Sequence, residues 1–245
     1  MEIKNSIAFV SGANRGIGRA FVEELLAGGA AKIYASARDT SQLADLCATA
    51  PEKIIPVSLD VTKPDMIAAA ADSHEDVTLL INNAGIAGFA GLIAADDIDA
   101  ARGEMETNFF GLLNMTRAFA PTLAKNGGGG IINLGSIASY VNFPVLGSYS
   151  ASKAAVHSLT QGIRAELAGQ GTQVLGVYPG PIDTDMAAGF PMDKTSPNVA
   201  VKNIFDALEA GDEDVYPDPM AIELHAGLLG DPKAVEKQVG EMLPE

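Results

Sequence analysis

Cysteine, basic charge and long apolar runs are all scarce in this chain of 245 residues. Its one cysteine, Cys47, excludes an intrachain disulfide and a metal cage built of cysteine, and a reducing cytoplasm fits that usage best. Cys47 lies in the apolar stretch Leu43 to Ala48, reads as a small buried side chain and is given no role. Only 16 Lys and Arg stand against 31 Asp and Glu, a formal charge of -15. Such a field repels nucleic acid and anionic membrane surfaces, so small molecules are the expected partners. It also opposes an anionic cofactor, so any phosphate site must rest on a few local cations and on backbone N–H groups. The opening MEIKNSIAFV lacks the charged lead, unbroken apolar run and small-residue cleavage site of a secretion signal. The most apolar stretch, Leu79 to Ala95, is interrupted by Asn82, Asn83 and glycines, which excludes a membrane-spanning helix there.

What is present is a regular alternation. Short β-rich runs at Ile3 to Val10, Lys32 to Ser36, Lys53 to Leu59, Val77 to Ile81, Gly130 to Leu134 and Gln173 to Tyr178 are separated by helical patterns. Runs such as IIPVSL and VTLLI are apolar nearly throughout, as parallel strands covered by helices on both faces must be. The expected fold is α/β, a Rossmann-like doubly wound parallel sheet filling a single domain over residues 1–245. Met105, Phe109, Leu112, Leu113, Thr116, Phe119, Ala120 and Leu123 recur at steps of three and four, giving one helix a broad apolar face. The glycines at 127–130 read as a turn. Residues 179–197 are rich in proline and too long for an ordinary strand-to-helix loop, which suggests a substrate lid. The tail over 220–245 has the pattern of one or two short helices with no legible role.

Directly after the first run come Gly12, Ala13, Asn14, Arg15, Gly16, Ile17 and Gly18, leading into a helix marked by Ala20, Phe21 and Leu25. Glycines at such a turn let backbone N–H groups and a helix N-terminus approach a pyrophosphate. Beyond the second strand, Arg38 stands where an acidic residue would accept from a free ribose hydroxyl. Arg15 and Arg38 can converge on a 2'-phosphate, which favours NADP over NAD. Asp39 could take the ribose instead if the strand ended one residue later.

Tyr149 and Lys153 are four apart in a helical pattern, so the ammonium sits on the same face as the phenol. An adjacent positive charge stabilises phenolate, bringing tyrosine closer to useful acid–base strength. His157, two turns past Tyr149, reads as a surface or interface histidine.

Together with Asp60 and Val61, Asn82-Asn83-Ala84-Gly85, Asn108, Ser136, Tyr178-Pro179-Gly180 and Thr184, these motifs resemble the short-chain dehydrogenase/reductase family, in its compact single-domain branch, over roughly residues 4 to 200. The resemblance implies an oxidoreductase using NADP(H). Ser136 would hydrogen-bond the substrate oxygen, Tyr149 would exchange a proton with it, and Lys153 would hold the nicotinamide ribose and lower the tyrosine pKa. Asn108 would hold a water linking Lys153 to solvent. Asp60 and Val61 would meet adenine, Asn82, Ala84 and Gly85 the adenosine ribose, and Pro179, Gly180, Ile182 and Thr184 the nicotinamide side; no metal is expected. Gly135 stands where the family often has another serine, a departure expected to matter little. Ile86, Phe89, Ile137, Val141, Phe143, Leu146, Pro181, Met186 and Phe190 would form a pocket for a hydrophobic ketone or aldehyde. The alternatives are reduction of a 3-oxoacyl thioester and a catalytically silent nucleotide sensor. The helices at 104–124 and 150–168 are where the resemblance implies pairing into a homodimer or homotetramer.

Overall fold

Parallel strands buried on both faces need apolar side chains pointing both ways, and the chain supplies them in short runs. The computed structural model describes residues 1–89 and 91–244. Its strands are β1 (Ile7–Val10), β2 (Lys32–Ala37), β3 (Ile54–Ser58), β4 (Leu79–Asn82), β5 (Gly130–Leu134), β6 (Gln173–Val177) and β7 (Asp214–Val215). They form one sheet in the order β3-β2-β1-β4-β5-β6-β7, with every pairing parallel. Register sorts the side chains by face. Ala8 and Val10 of β1 bury with Leu79 and Ile81 of β4 on one face, while Phe9 and Leu80 bury together on the other. The first face is covered by α1 (Gly16–Ala27), α2 (Ala44–Thr49) and α7 (Pro197–Ala210). The second is covered by α3 (Pro64–Ser73), α5 (Leu112–Lys125) and α6 (Gly147–Leu167). This is the doubly wound arrangement the sequence implies. The strand order reverses between β1 and β4, and a crevice opens there beyond the carboxyl ends of the strands.

Three departures from the sequence pattern have local causes. β1 starts at Ile7, because Ile3 is buried but gives its N–H to Glu209 Oε1 at 2.8 Å and not to the sheet. β7 has two residues, too few to show periodicity. The helix read over 104–124 is in fact α4 (Asp99–Glu104), a π-helical turn at Met105–Gly111, and then α5. The tail forms α8 (Pro219–Gly230) and α9 (Pro232–Val239), each with proline in the first turn and an aspartate cap, Asp218 and Asp231.

Those last helices have a place in the fold. Val235 and Val239 of α9 pack on Ile137, Ala138, Val141 and Phe143, the segment that follows β5. Cys47 lies half-buried against the first core, as a packing residue. Among the described residues, no helix is long and apolar enough to cross a membrane.

Candidate active site

The glycine loop is shaped by close approaches. Gly12 and Gly16 take φ of +68° and +55°, the left-handed region where a side chain is strained. At Gly18 a Cβ would run into Gly12 O. The loop is tied to the end of β4 by Asn83, whose Nδ2 donates to Ser11 O at 2.9 Å and Gly12 O at 3.0 Å. Ser11 Oγ accepts in return from the N–H groups of Asn83 and Ala84. α1 then starts with no side-chain cap on its first N–H groups, and Gly16, Ile17 and Gly18 line the crevice.

One continuous cavity of about 810 Å³ runs from this loop past Arg38 and Asp60 to Ser136 and Tyr149, and on to Phe190 and Met242. Every site residue assigned from the sequence lines it except Asn82 and Asn108. Asn82 is buried inside the sheet layer, where its Nδ2 donates to Asn133 Oδ1 (2.9 Å) and Thr116 Oγ1 (3.1 Å). Its expected ribose contact is therefore corrected: the neighbouring Asn83 reaches the crevice instead. Asn108, in the π-helical turn, uses its amide on protein. Oδ1 accepts from Ile86 N at 2.9 Å, and Nδ2 donates to Ile86 O at 3.0 Å and Ser152 Oγ at 2.9 Å. With both donors engaged, its side chain is a clamp on Ile86.

At the adenosine end, β2 stops at Ala37, so Arg38 is the first residue beyond it. Asp39 turns away to accept from Ser41 N at 3.0 Å. Arg15 pairs with Asp185, in the segment after β6, at 3.4 Å, both largely exposed. Burial would push the Asp60 carboxyl up, but donation from Thr62 N and Oγ1 and the charges of Arg38 and Lys63 outweigh it and hold Asp60 below its ordinary value.

At the other end, Ser136 follows β5 and caps the turn Ile137–Ser139, its Oγ accepting from Ala138 N at 3.1 Å. The same hydroxyl donates to Pro179 O at 3.4 Å and lines the cavity with Tyr149, so the cap fixes a group that also faces the cavity. Lys153 is 5% exposed, and its Nζ donates to Leu134 O at 2.6 Å. Burial lowers its pKa to about 8. Burial, and not the neighbouring ammonium, governs the tyrosine here. Burial pushes Tyr149 up to about 12, helped by the negative charge of Glu104 and opposed by Ser136. Lys153 Nζ is committed to a carbonyl and lies 5.6 Å from the Tyr149 ring centroid. Of the expected pocket residues, Val141 faces away from the chamber into the α9 contact; the other eight line it.

A model of the short chain dehydrogenase family matches residues 6–195. The chain belongs to that family. A short chain dehydrogenase from Burkholderia cenocepacia, solved in complex with NADP, superposes with a TM-score of 0.93 at 44% identity, covering 98% of this chain and 99% of that one. The NADPH-bound carbonyl reductase from chicken fatty liver gives a TM-score of 0.79 at 27% identity, covering 87% and 97%. Galactitol 2-dehydrogenase (L-tagatose-forming) from Cereibacter sphaeroides is 35% identical over 191 residues, 76% of this chain and 74% of that one. The protein is thus an oxidoreductase of the short-chain dehydrogenase type.

Several residues of this short-chain dehydrogenase's site escape sequence reasoning. Asp218, buried at the start of α8, accepts from Gly180 N at 2.7 Å and so fixes the loop that follows β6; only its capping role could be anticipated from the Asp-Pro pair. Gln42 meets Asn14 Nδ2 at 2.7 Å beside Arg38. Met192, Met220 and Met242 join Met186 on the chamber wall, Met242 held by Val145 N donating to its carbonyl at 3.0 Å. His157 is not a surface residue: it is half-buried, with Nδ1 2.7 Å from Tyr178 OH, and burial lowers its pKa. Tyr178 in turn fills the space beside Gly135, where a Cβ would come within 2.8 Å of its ring. The glycine that departs from the family habit is a packing requirement of this chain.

Proposed function

We propose that this enzyme is an NADP(H)-dependent carbonyl reductase for hydrophobic ketones and aldehydes, reversible, with Tyr149 as its proton donor. The observation that carries this reading is the single cavity that joins the glycine loop and Arg38 to Ser136, Tyr149 and an apolar chamber. The residues present fit the dinucleotide. The glycine approaches leave room for phosphate against backbone N–H groups, and Arg38 offers a planar cation for a 2'-phosphate, joined by Arg15 once it leaves Asp185. The NADP complex of the Burkholderia relative and the NADPH-bound carbonyl reductase support the same choice.

When bound, the nicotinamide supplies the hydride. Ser136 Oγ–H and Tyr149 O–H would both donate to the substrate oxygen, stabilising the charge that develops there, and Tyr149 would pass its proton to it. Burial keeps that phenol protonated through neutral pH, which suits donation. Lys153 would hold the nicotinamide ribose, with Pro179, Gly180, Ile182 and Thr184 beside the ring; Asp60 and Val61 would border adenine, and Ala84 and Gly85 the ribose next to it. Phe89, Phe143, Phe190 and the four methionines would enclose an apolar substrate and shed water from the reacting carbon. A reducing cytoplasm suits the half-buried Cys47, and pairing of copies through α5 and α6 is part of the proposal, with Phe110, in the π-helical turn that leads into α5, 44% exposed.

Titration with NADPH and NADH, followed by a spectrophotometric screen of ketones, aldehydes and polyols, tests the reading. NADPH is expected to bind at least about tenfold tighter, and Tyr149→Phe to lose roughly 10²–10⁴ in rate. Preference for NADH would move the ribose contact to Asp39. A full-rate Tyr149→Phe enzyme would overturn the mechanism, turnover of polyols alone the substrate class, and tight binding without turnover would favour a nucleotide sensor.

A further inference from the structure

One buried acid has no place in this account. Glu104 ends α4 and is 1% exposed. Its Oε1 accepts from Gly88 N at 2.6 Å, while Oε2 is buried without a partner among the described residues. An acid with one oxygen unsatisfied is costly to bury, and an apolar side chain of similar size would serve packing better. Its surroundings suggest what it does.

Glu104 and Asn108 project from one helical stretch onto one loop, gripping Gly88 and Ile86 respectively. The gripped Ile86 and, just past Gly88, Phe89 line the chamber. Phe89 sits at φ +50°, a conformation that a bulky residue holds only when its neighbours enforce it. α4 also packs on α6, which carries Tyr149 near its start. Three groups bear on the phenol: the Ser136 hydroxyl from the segment after β5, the Lys153 ammonium from α6, and the Glu104 carboxylate from α4. Lys153 is drawn to Leu134 O, so Glu104 acts on the phenol with only Ser136 opposing it.

We infer that Glu104 is a positioning residue for the reduction, fixing the Ile86–Phe89 wall of the substrate chamber and placing a carboxylate on the helix that packs against the one carrying Tyr149. The inference rests on Tyr149 being the donor. It gives Glu104 two effects that substitution can separate, since Glu104→Gln keeps an acceptor for Gly88 N–H and removes the charge, while Glu104→Asp keeps the charge and shortens the reach.

The test combines two readouts. Tyrosinate absorbance after a stopped-flow pH jump, with Tyr149→Phe as the subtracted reference, follows the phenol without turnover. The pH profile of kcat/KM for ketone reduction follows it in catalysis. In Glu104→Gln, both the phenol titration and the alkaline limb are expected to move down by about one pH unit. Glu104→Asp should keep the wild-type titration while its KM rises a few-fold. Glu104→Met removes the same charge with an apolar side chain, must give the same downward shift, and covers the case of a Gln variant that fails to fold. Titrations that coincide with wild type in the Gln and Met variants, or that move equally in the Asp variant, would overturn the inference. Full activity in Tyr149→Phe would instead remove the reading beneath it, while leaving the spectroscopic result legible.

Discussion

Replacing Gly135 by serine would make the segment before Ser136 look more like its family, and the structure says that it should harm this protein. A Cβ at 135 would lie 2.8 Å from Cδ1 and Cε1 of Tyr178 and 3.1 Å from Val177 O. Ordinary contact begins at 3.4 Å, so the ring must retreat by about 0.6 Å, the difference of 3.4 and 2.8. Tyr178 has little freedom to do so. It is 1% exposed, its hydroxyl meets His157 Nδ1 at 2.7 Å, and its ring lies 4.9 Å from that of Tyr140 and 5.8 Å from that of Tyr216. Overpacking at such a site costs about 1–3 kcal/mol. The alternative to moving the ring is moving the backbone that carries Ser136, and displacement of a positioned donor by a fraction of an ångström lowers kcat by roughly tenfold or more. Urea unfolding and steady-state ketone reduction measure the two costs. Gly135→Ser should lower the unfolding midpoint at unchanged slope and reduce kcat. In a double-mutant cycle, Tyr178→Leu should relieve part of the loss, with a coupling of at least about 1 kcal/mol. A Gly135→Ser enzyme as stable and as fast as wild type would refute the packing argument.

Two further outcomes follow from the same geometry. Lys153→Met is expected to abolish catalysis yet stabilise the cofactor-free protein by about 1–3 kcal/mol at pH 7. The lysine has a native pKa of about 8 against 10.5 unfolded. Its penalty is therefore full below pH 8, shrinks as pH rises through that window because the unfolded chain holds more protons, and is gone above it. Urea melts across pH 7 to 11 should show this rise in wild type and not in the variant, and a less stable variant at pH 7 would count against it. Met242→Ala should raise KM for bulky apolar ketones by roughly tenfold, the worth of a few buried methylenes, with NADPH affinity unchanged by titration. Equal losses of cofactor and substrate affinity would mean that the tail supports the whole fold and not the chamber wall.

The sheet and the Tyr149–Lys153 pair were legible because each rests on local spacing. IIPVSL and VTLLI are apolar on both sides and became strands buried on both faces, and Tyr149 and Lys153 share a helical face because they are four apart. What spacing cannot show is which of two adjacent polar residues turns inward. Asn82 and Asn83 read alike in sequence, yet strand pleat sends one into the layer between β4 and β5 and the other to the glycine loop. Nor does sequence show competition for a charge. Tyr149 and Lys153 adjoin as expected, but Leu134 O takes the ammonium and burial governs the phenol. The tail was illegible for a related reason. Val235, Val239 and Met242 acquire meaning only through contacts with residues about a hundred positions earlier, Ile137 to Leu146.

The π-helical turn at Met105–Gly111 holds seven residues and is wound one residue looser than an α-helix would be. Wound as ordinary α-helix at unchanged length, these seven residues would rotate the upstream half by about 100° against the downstream half. Met115, Phe119 and Leu123 anchor the downstream half in the core, so the rotation would fall upstream and swing Glu104 off Gly88. The loose winding of this stretch thus acts as an aiming device: as wound, seven residues point an acid at the chamber wall, and the same seven in plain α-helix would turn it away.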